Sequence, residues 1–490
     1  MVQRHSPRSK PARRALRLGA LVMALVTALP TAVAAPAPSL PDLGDPTSVY
    51  LTPEQEFRLG RAWLRELRGQ VGILDDPLVQ DYVEHLVYRL ASHSDLAEPD
   101  LAIIVVNSRD INAFAVPGGV IGLNAGLFLN AESEDEVASV VAHEIAHVSQ
   151  RHFTRRYADS KRLNAAMFAA MLASLAVAIA GNAEAGMAGI ASTQAAAIQN
   201  QLAYSRHHER EADRVGMQTL VNAGYDPRAM SRFFERLLRN VQYQGRPPEF
   251  ILTHPLTEDR VADARSRANA MRSPPLRMTP DFQLAQSRIR ARFFSNPQQG
   301  LSYFQGLYKG GTSLEQQAAG FGLAVAATRV RQFELAERTL NALVQADPNQ
   351  LWYRIALAEV ANERGQPAQA VTILEDVLRT TPDHYAASVL LARSLISAQR
   401  YPDARQVLER QLRRRSDPAL WQLLADAAGK DNDLARAHFA RAELYFAVGQ
   451  SDRALEQMRY ALAQSNERFD LNAQIRARLR QMEALASERF

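Results

Sequence analysis

From Asp76 to Leu90 the apolar residues Leu78, Tyr82, Leu86 and Leu90 recur every fourth position, which predicts an amphipathic helix. Thr52-Pro53-Glu54-Gln55 opens an earlier one: Thr52 offers an N-cap oxygen, and the fixed φ of Pro53 suits a first turn. Leu101–Val106 is a short, continuous, β-branched run and predicts a strand. Asn112–Gly119 leads into Val120-Ile-Gly-Leu, which predicts two further strands joined by a turn at Pro117-Gly118-Gly119. Helices are then predicted over 134–151, 201–223 and 227–241. Ser273-Pro274-Pro275 breaks the helical pattern and sets a boundary.

Beyond about residue 300 the pattern repeats. Leu323, Leu357 and Leu391 are spaced by 34, as are Ala336, Ala370 and Ala404, and Pro348 and Pro382 are also 34 apart. Paired helices at this period, with small residues where two helices must approach, are the tetratricopeptide signature. The next match, Gly449–Ala454, puts Ala454 50 residues after Ala404, so an extra helix is expected between them. The repeats form a solenoid whose concave face can take other proteins.

The N-terminus follows a different logic. Six basic residues (Arg4, Arg8, Lys10, Arg13, Arg14, Arg17) precede twelve uncharged, mostly apolar residues, Leu18–Leu29, and then Ala32-x-Ala34. This is the layout of a cleaved secretory signal peptide over 1–34, and the apolar run is short against the ~20 residues of a membrane span. A proline-rich leader occupies 35–50. The division expected is signal peptide 1–34, a first domain 35–275, a connecting helix or linker 276–300 and a repeat domain 301–490. One uncharged, alanine-rich segment, 165–180, fits a buried or lid helix, a membrane-surface or substrate-facing segment, or a short span.

Composition sharpens this picture at two points. The 490 residues carry a formal charge of +5, which would raise nucleic acid as a partner. Taking the six basic residues of 1–34 from the 57 Lys and Arg leaves 51 against 52 Asp and Glu, a net charge of −1. That removes the global charge argument for nucleic acid. The absence of cysteine excludes disulfides, iron–sulfur clusters and thiolate metal sites, so any metal must sit on His, Asp or Glu.

His143-Glu144-Ile-Ala-His147 meets that condition. Residues four apart share a helix face, so both imidazoles can hold one ion, while Glu144 can take a proton from a metal-bound water. A third protein ligand is needed. His207-His208-Glu209-Arg-Glu211-Ala-Asp213 supplies candidates on a second helix, where Glu209 and Asp213 share a face and Glu211 points elsewhere. Glu209 is the favoured ligand. Asp213 then bonds a ligand histidine or assists proton transfer. His207 and His208 are outside candidates as ligands but are expected to be polar surface residues beside the site, and a salt-bridged surface helix is the alternative for the whole segment.

HEIAH, the Glu209–Gly216 segment about 65 residues later and the upstream Asn112–Gly119 stretch together resemble peptidase family M48, the zinc metalloproteases. The resemblance implies a mainly α fold: a zincin-like metalloprotease domain with a small β-sheet, followed by the all-α tetratricopeptide solenoid. It implies one Zn2+ per chain on His143, His147 and Glu209, with Glu144 as general base and Asp213 as a supporting or proton-donating residue. It also draws attention to Thr253–Arg260. His254, just before a proline expected to start a helix, becomes a candidate gate, fourth ligand or oxyanion donor, and Arg260 a support or oxyanion donor. Asn112, Pro117, Gly118 and Gly119 become a candidate edge on which an extended substrate adds a strand.

With the signal peptide and the repeats, the implied role is a periplasmic zinc metalloendopeptidase. It would assist outer-membrane protein assembly and degrade misassembled β-barrel proteins. Its partners would be unfolded or stalled β-barrels and their assembly machinery, reached through the repeats, with peripheral membrane contact and no nucleic acid. The competing expectation is an assembly chaperone or scaffold whose protease activity is largely latent. A third is an integral-membrane protease.

Overall fold

The computed structural model describes residues 51–97, 100–159, 206–244, 248–274 and 280–487, and Val49–Phe490 forms one compact unit. The signal peptide, the leader to residue 50 and the alanine-rich 165–180 segment lie outside the described residues.

The first helix, α1 (Pro53–Gln70), begins as expected: the Thr52 side chain accepts from Gln55 N–H while the Gln55 side chain accepts from Thr52 N–H. The second, α2 (Pro77–Ala91), is capped by Asp76 and buries Leu78, Tyr82, Leu86 and Leu90. Three strands follow: β1 (Ala102–Val106), β2 (Ala113–Val116) and β3 (Val120–Asn124). Their spatial order is β1-β3-β2, with β3 parallel to β1 and antiparallel to β2, so β2 is an edge strand. The turn between β2 and β3 needs its glycines, since Gly118 and Gly119 both have positive φ and a Cβ on Gly118 would lie 2.6 Å from Glu56 O.

A short helix α3 (Ala125–Asn130) leads into α4 (Glu134–Ser149), which runs through the core and is buried from Glu136 to His147. Here one expectation is corrected. The helix does not reach Arg151: that residue turns left-handed at φ 49°, its guanidinium bound to Glu56 and Leu51 O, and a new helix α5 (His152–Asp159) starts. After the undescribed stretch come α6 (Arg206–Asn222), α7 (Arg228–Gln244), the short α8 (Glu249–Thr253) and α9 (Glu258–Ala270). A second correction falls here: α9 is capped by Thr257, not started by Pro255, and His254 is the C-cap of α8.

Two connecting helices, α10 (Pro280–Phe293) and α11 (Pro297–Leu307), precede the repeat array. The array runs α12 (Leu314–Arg329), α13 (Phe333–Ala346), α14 (Leu351–Glu363), α15 (Pro367–Thr380), α16 (Tyr385–Ser397) and α17 (Tyr401–Leu412). It closes with α18 (Pro418–Lys430), α19 (Leu434–Ala447), α20 (Ser451–Ala463) and α21 (Phe469–Ser487). Ala336, Ala370, Ala404 and Ala454 are all fully buried, as close helix pairing requires. The expected extra helix is present: α18 and α19 both lie between Ala404 and Ala454, where strict alternation needs one. Left-handed residues recur at the turns within successive pairs (Arg331, Gly365 and Gln399, spaced by 34), an expression of the repeat in backbone rather than side chains.

Candidate metal centre

The site forms where α4, α6 and the end of α8 converge. His143 and His147 lie one turn apart on α4, their rings edge to face and their Nε2 atoms 3.0 Å from each other. Glu209 reaches in from α6, with one oxygen 3.5 Å from His143 Nε2 and the other 3.5 Å from His147 Nε2. The close approach of the two helices depends on Gly216, where a Cβ would fall 2.9 Å from Ala142 O and 3.0 Å from His143 Cα. His254 enters from the third direction, its Nδ1 3.3 Å from both His143 Nε2 and Glu209 Oε1 and its Nε2 3.4 Å from Glu144 Oε1. Phe250 stacks on the His254 ring at 4.6 Å and holds it there.

A ring of supports surrounds these groups. Asp213 lies 3.0 Å from His143 Nδ1, the nitrogen turned away from the cluster. Arg260 donates to both Asp213 oxygens at 2.8 Å, and to Pro255 O at 2.7 Å, and pairs with Glu209 Oε2 at 2.8 Å. All of these side chains are essentially buried. Burial opposes ionisation of Glu209 and Asp213, but His254, His143 and Arg260 outweigh it and hold both carboxyls below their usual range. Burial dominates at Glu144 and raises its pKa, against the histidines and the Ala115 backbone N–H of edge strand β2. Burial also opposes the His143 cation, yet hydrogen bonds to Asp213 and Glu209 carry its pKa to about 10, while His147 is pushed well below the ordinary value.

These residues fit a divalent cation. His143, His147, Glu209 and His254 each offer a donor atom, all within 4.8 Å of one another and all buried. Two imidazole nitrogens facing each other at 3.0 Å across a carboxylate suit a cation between them, and neither Glu144 oxygen has a well-formed hydrogen bond.

The other sequence-derived residues lie as follows. Glu211 points away from the cluster to His152 and Arg155. His208 is buried, contrary to the surface position expected for it, because its ring stacks on His152 at 4.6 Å. Asn112 is buried and donates to Glu249, while Phe250 N–H donates to Ile111 O, so α8 covers the chain entering β2. The Pro117–Gly119 turn is packed beneath α1: a Cβ on Gly60 would overlap Pro117 O. His152 went unnoticed in the sequence, since a residue five after His147 shares no helix face with it unless the chain turns at Arg151.

A buried two-histidine, one-glutamate cluster with a carboxylate beside it, ahead of a helical repeat array, defines the class: a metallopeptidase joined to a protein-interaction solenoid. Residues 77–268 match the model for Peptidase family M48, and 361–427 and 435–459 match tetratricopeptide repeat models. The chain is 34% identical to the Beta-barrel assembly-enhancing protease of Escherichia coli (strain K12), over 96% of its own length and 97% of that protein. It is 36% identical to the Putative beta-barrel assembly-enhancing protease of Vibrio cholerae, over 85% of this chain and 86% of that one. Mitochondrial metalloendopeptidase OMA1 of Schizosaccharomyces pombe is 28% identical over 37% of this chain and half of its own. The chain belongs to peptidase family M48 and carries tetratricopeptide repeats behind its peptidase domain.

Proposed function

We propose that this chain is a zinc metalloendopeptidase of the periplasm that acts on outer-membrane β-barrel proteins, helping assembly and degrading what stalls. The buried donor cluster of His143, His147 and Glu209 with Glu144 beside it carries the proposal. The names of the relatives supply the substrate class. The basic, apolar and Ala-x-Ala order of residues 1–34 supports export. We divide the mature chain at about residue 275 into peptidase and repeat domains, with the repeats as the surface for clients or assembly machinery.

When bound, zinc supplies a Lewis acid that polarises the scissile carbonyl and acidifies water. Glu144, whose pKa burial raises and whose carboxylate is thereby the stronger base, takes the water's proton and passes it to the leaving amine. Asp213 orients His143 through Nδ1, and its pairing with Arg260 keeps it ionised, so orientation suits it better than proton donation. Arg260, committed to Asp213, Glu209 and Pro255 O, is a clamp on the ligand sphere. The edge strand β2, with Ala115 N–H directed at Glu144, aligns the substrate.

A latent form of the same enzyme has its own support. His254 lies where a fourth ligand would, and the segment that carries it also covers the entry to β2 through Phe250 and Glu249. One movement of 248–254 would free both the site and the strand. The third reading, an integral-membrane enzyme, turns on residues 165–180, which lie outside the described residues; no described helix is long and apolar enough to cross a membrane.

The test is to purify residues 35–490, measure bound zinc and compare digestion of an unfolded β-barrel protein with Glu144→Gln. The variant should keep its zinc and lose roughly 10²–10⁴-fold in rate. A metal-free wild type that behaves like the variant would end the proposal. His254→Ala should digest faster than wild type, and an equal or lower rate removes the gate.

A further inference from the structure

His147 has a partner that the metal ligands do not account for. Its Nε2 is turned to His143 and Glu209, and its Nδ1 lies 2.9 Å from Nδ1 of His152. His152 is fully buried, its Nε2 3.2 Å from Glu211 Oε2, and Glu211 is held in turn by Arg155 at 2.9 Å. The His208 ring lies nearly parallel to His152, 21° between planes, and closes the far side.

The protons on this chain of groups have one consistent arrangement. A neutral imidazole carries a single N–H. For His147 to offer the Nε2 lone pair to a cation, its proton must be on Nδ1. That N–H faces His152 Nδ1, which must therefore accept. The proton of His152 is then on Nε2, where it meets the Glu211 carboxylate. The opposite tautomer of His152 would set two N–H groups against each other at 2.9 Å, or turn an N–H of His147 toward the metal position.

We infer that His152 and Glu211 are positioning residues of the metal centre: they fix the tautomer and ring angle of His147, as Asp213 does for His143. The device depends on the left-handed Arg151, which ends α4 and folds His152 back against the ligand it follows in sequence. Outer partners of this kind commonly change metal affinity by about 10–100-fold when removed. The inference rests on the zinc peptidase reading and deepens it.

The full mature chain serves for the test, with zinc affinity measured by competition against a chromogenic chelator and the visible spectrum of the cobalt-substituted protein as a second readout. Wild-type zinc binding is read first, and its absence overturns the zinc reading, taking this inference with it. Where the wild type binds, His152→Leu should weaken zinc about 10–100-fold and alter the cobalt spectrum. His152→Asn, whose Oδ1 falls where Nδ1 was and can accept, should restore affinity to within about threefold of wild type. His152→Leu binding like wild type with an unchanged spectrum overturns the inference alone, as does an Asn variant no better than Leu. Should the Leu variant fail to fold by circular dichroism, His152→Asn is compared with His152→Gln, whose polar end falls at the Nε2 position. The Asn variant must then bind more tightly, and equal affinities overturn the inference.

Discussion

Arg260 donates to or pairs with oxygens of Asp213, Glu209 and Pro255, and its guanidinium plane lies over the Phe234 ring at 5.3 Å. A lysine cannot reproduce that planar fork, so Arg260→Lys is not a mild change here. It should leave Glu209 or Asp213 buried without its full set of partners. The expected outcome is a loss of about 3–5 kcal/mol in unfolding free energy, read by urea titration, together with weaker zinc binding. A variant as stable as wild type would show that the clamp is not needed. At this scale the pairing of the cluster's side chains could be read, because His143 and His147 are four apart on one helix, Glu209 and Asp213 four apart on another, and each pair needed only a face to share. His152 and His208 were not legible. Their place depends on one backbone angle at Arg151, which hydrophobic spacing does not encode.

The geometry of the centre is set between helices as much as within them. Gly216 lies against the backbone of Ala142 and His143, and the two α6 acids of the site stand one and two turns upstream of it. Gly216→Ala must push α6 away from α4, since both contacts are with backbone that cannot rotate aside. It should cost about 1–3 kcal/mol in stability and lower zinc affinity in the same protein. A stable variant with wild-type zinc affinity would mean that the helices separate without disturbing Glu209. The existence of α4, α6 and the repeat helices could be read from apolar spacing, and so could the extra helix before Ala454. Their ends could not. The expectation that α4 reached Arg151, and that Pro255 opened a helix, failed because side-chain partners decide helix ends: Glu56 draws Arg151 out of α4, and the Thr257 hydroxyl caps α9.

Across the whole molecule the peptidase and repeat segments share structure rather than merely touch. One hydrophobic core runs continuously from α2 to α19. At its centre Asp76, the cap of α2, bonds Arg288 and Arg292 of α10, and Arg288 goes on to Glu359 of the repeat helix α14. Arg393 pairs with Asp75, and Arg415 with Glu84, further along the same seam. At the other end α1 closes the circuit, with Gly69 against Val448 O, Gly449 against Arg65 O, and Glu56 on Arg151. A molecule tied in this way should unfold in a single thermal transition, and removing a tie should move the whole transition.

Asp76 also gives that transition a pH dependence. Burial alone would raise its pKa, but Arg288 and Arg292 outweigh burial and hold it below the ordinary 3.8. A carboxyl depressed in the folded state stabilises the fold above its unfolded pKa and loses that contribution as pH falls through the folded value. The wild type should therefore shed stability on acidification below about 4, beyond what its exposed carboxylates account for. Asp76→Asn should melt at a lower temperature at pH 7 by the equivalent of roughly 3 kcal/mol, since the buried Arg288 loses its one buried carboxylate partner and keeps only the partly exposed Glu359. Its melting temperature should then converge on that of the wild type as the pH is lowered, because the wild-type carboxyl becomes neutral as well. Scanning calorimetry of both proteins from pH 7 to pH 3 reads all three outcomes. Parallel curves at every pH would remove Asp76 from the linkage, and two resolved peaks in the wild type would show that the repeat array unfolds apart from the peptidase.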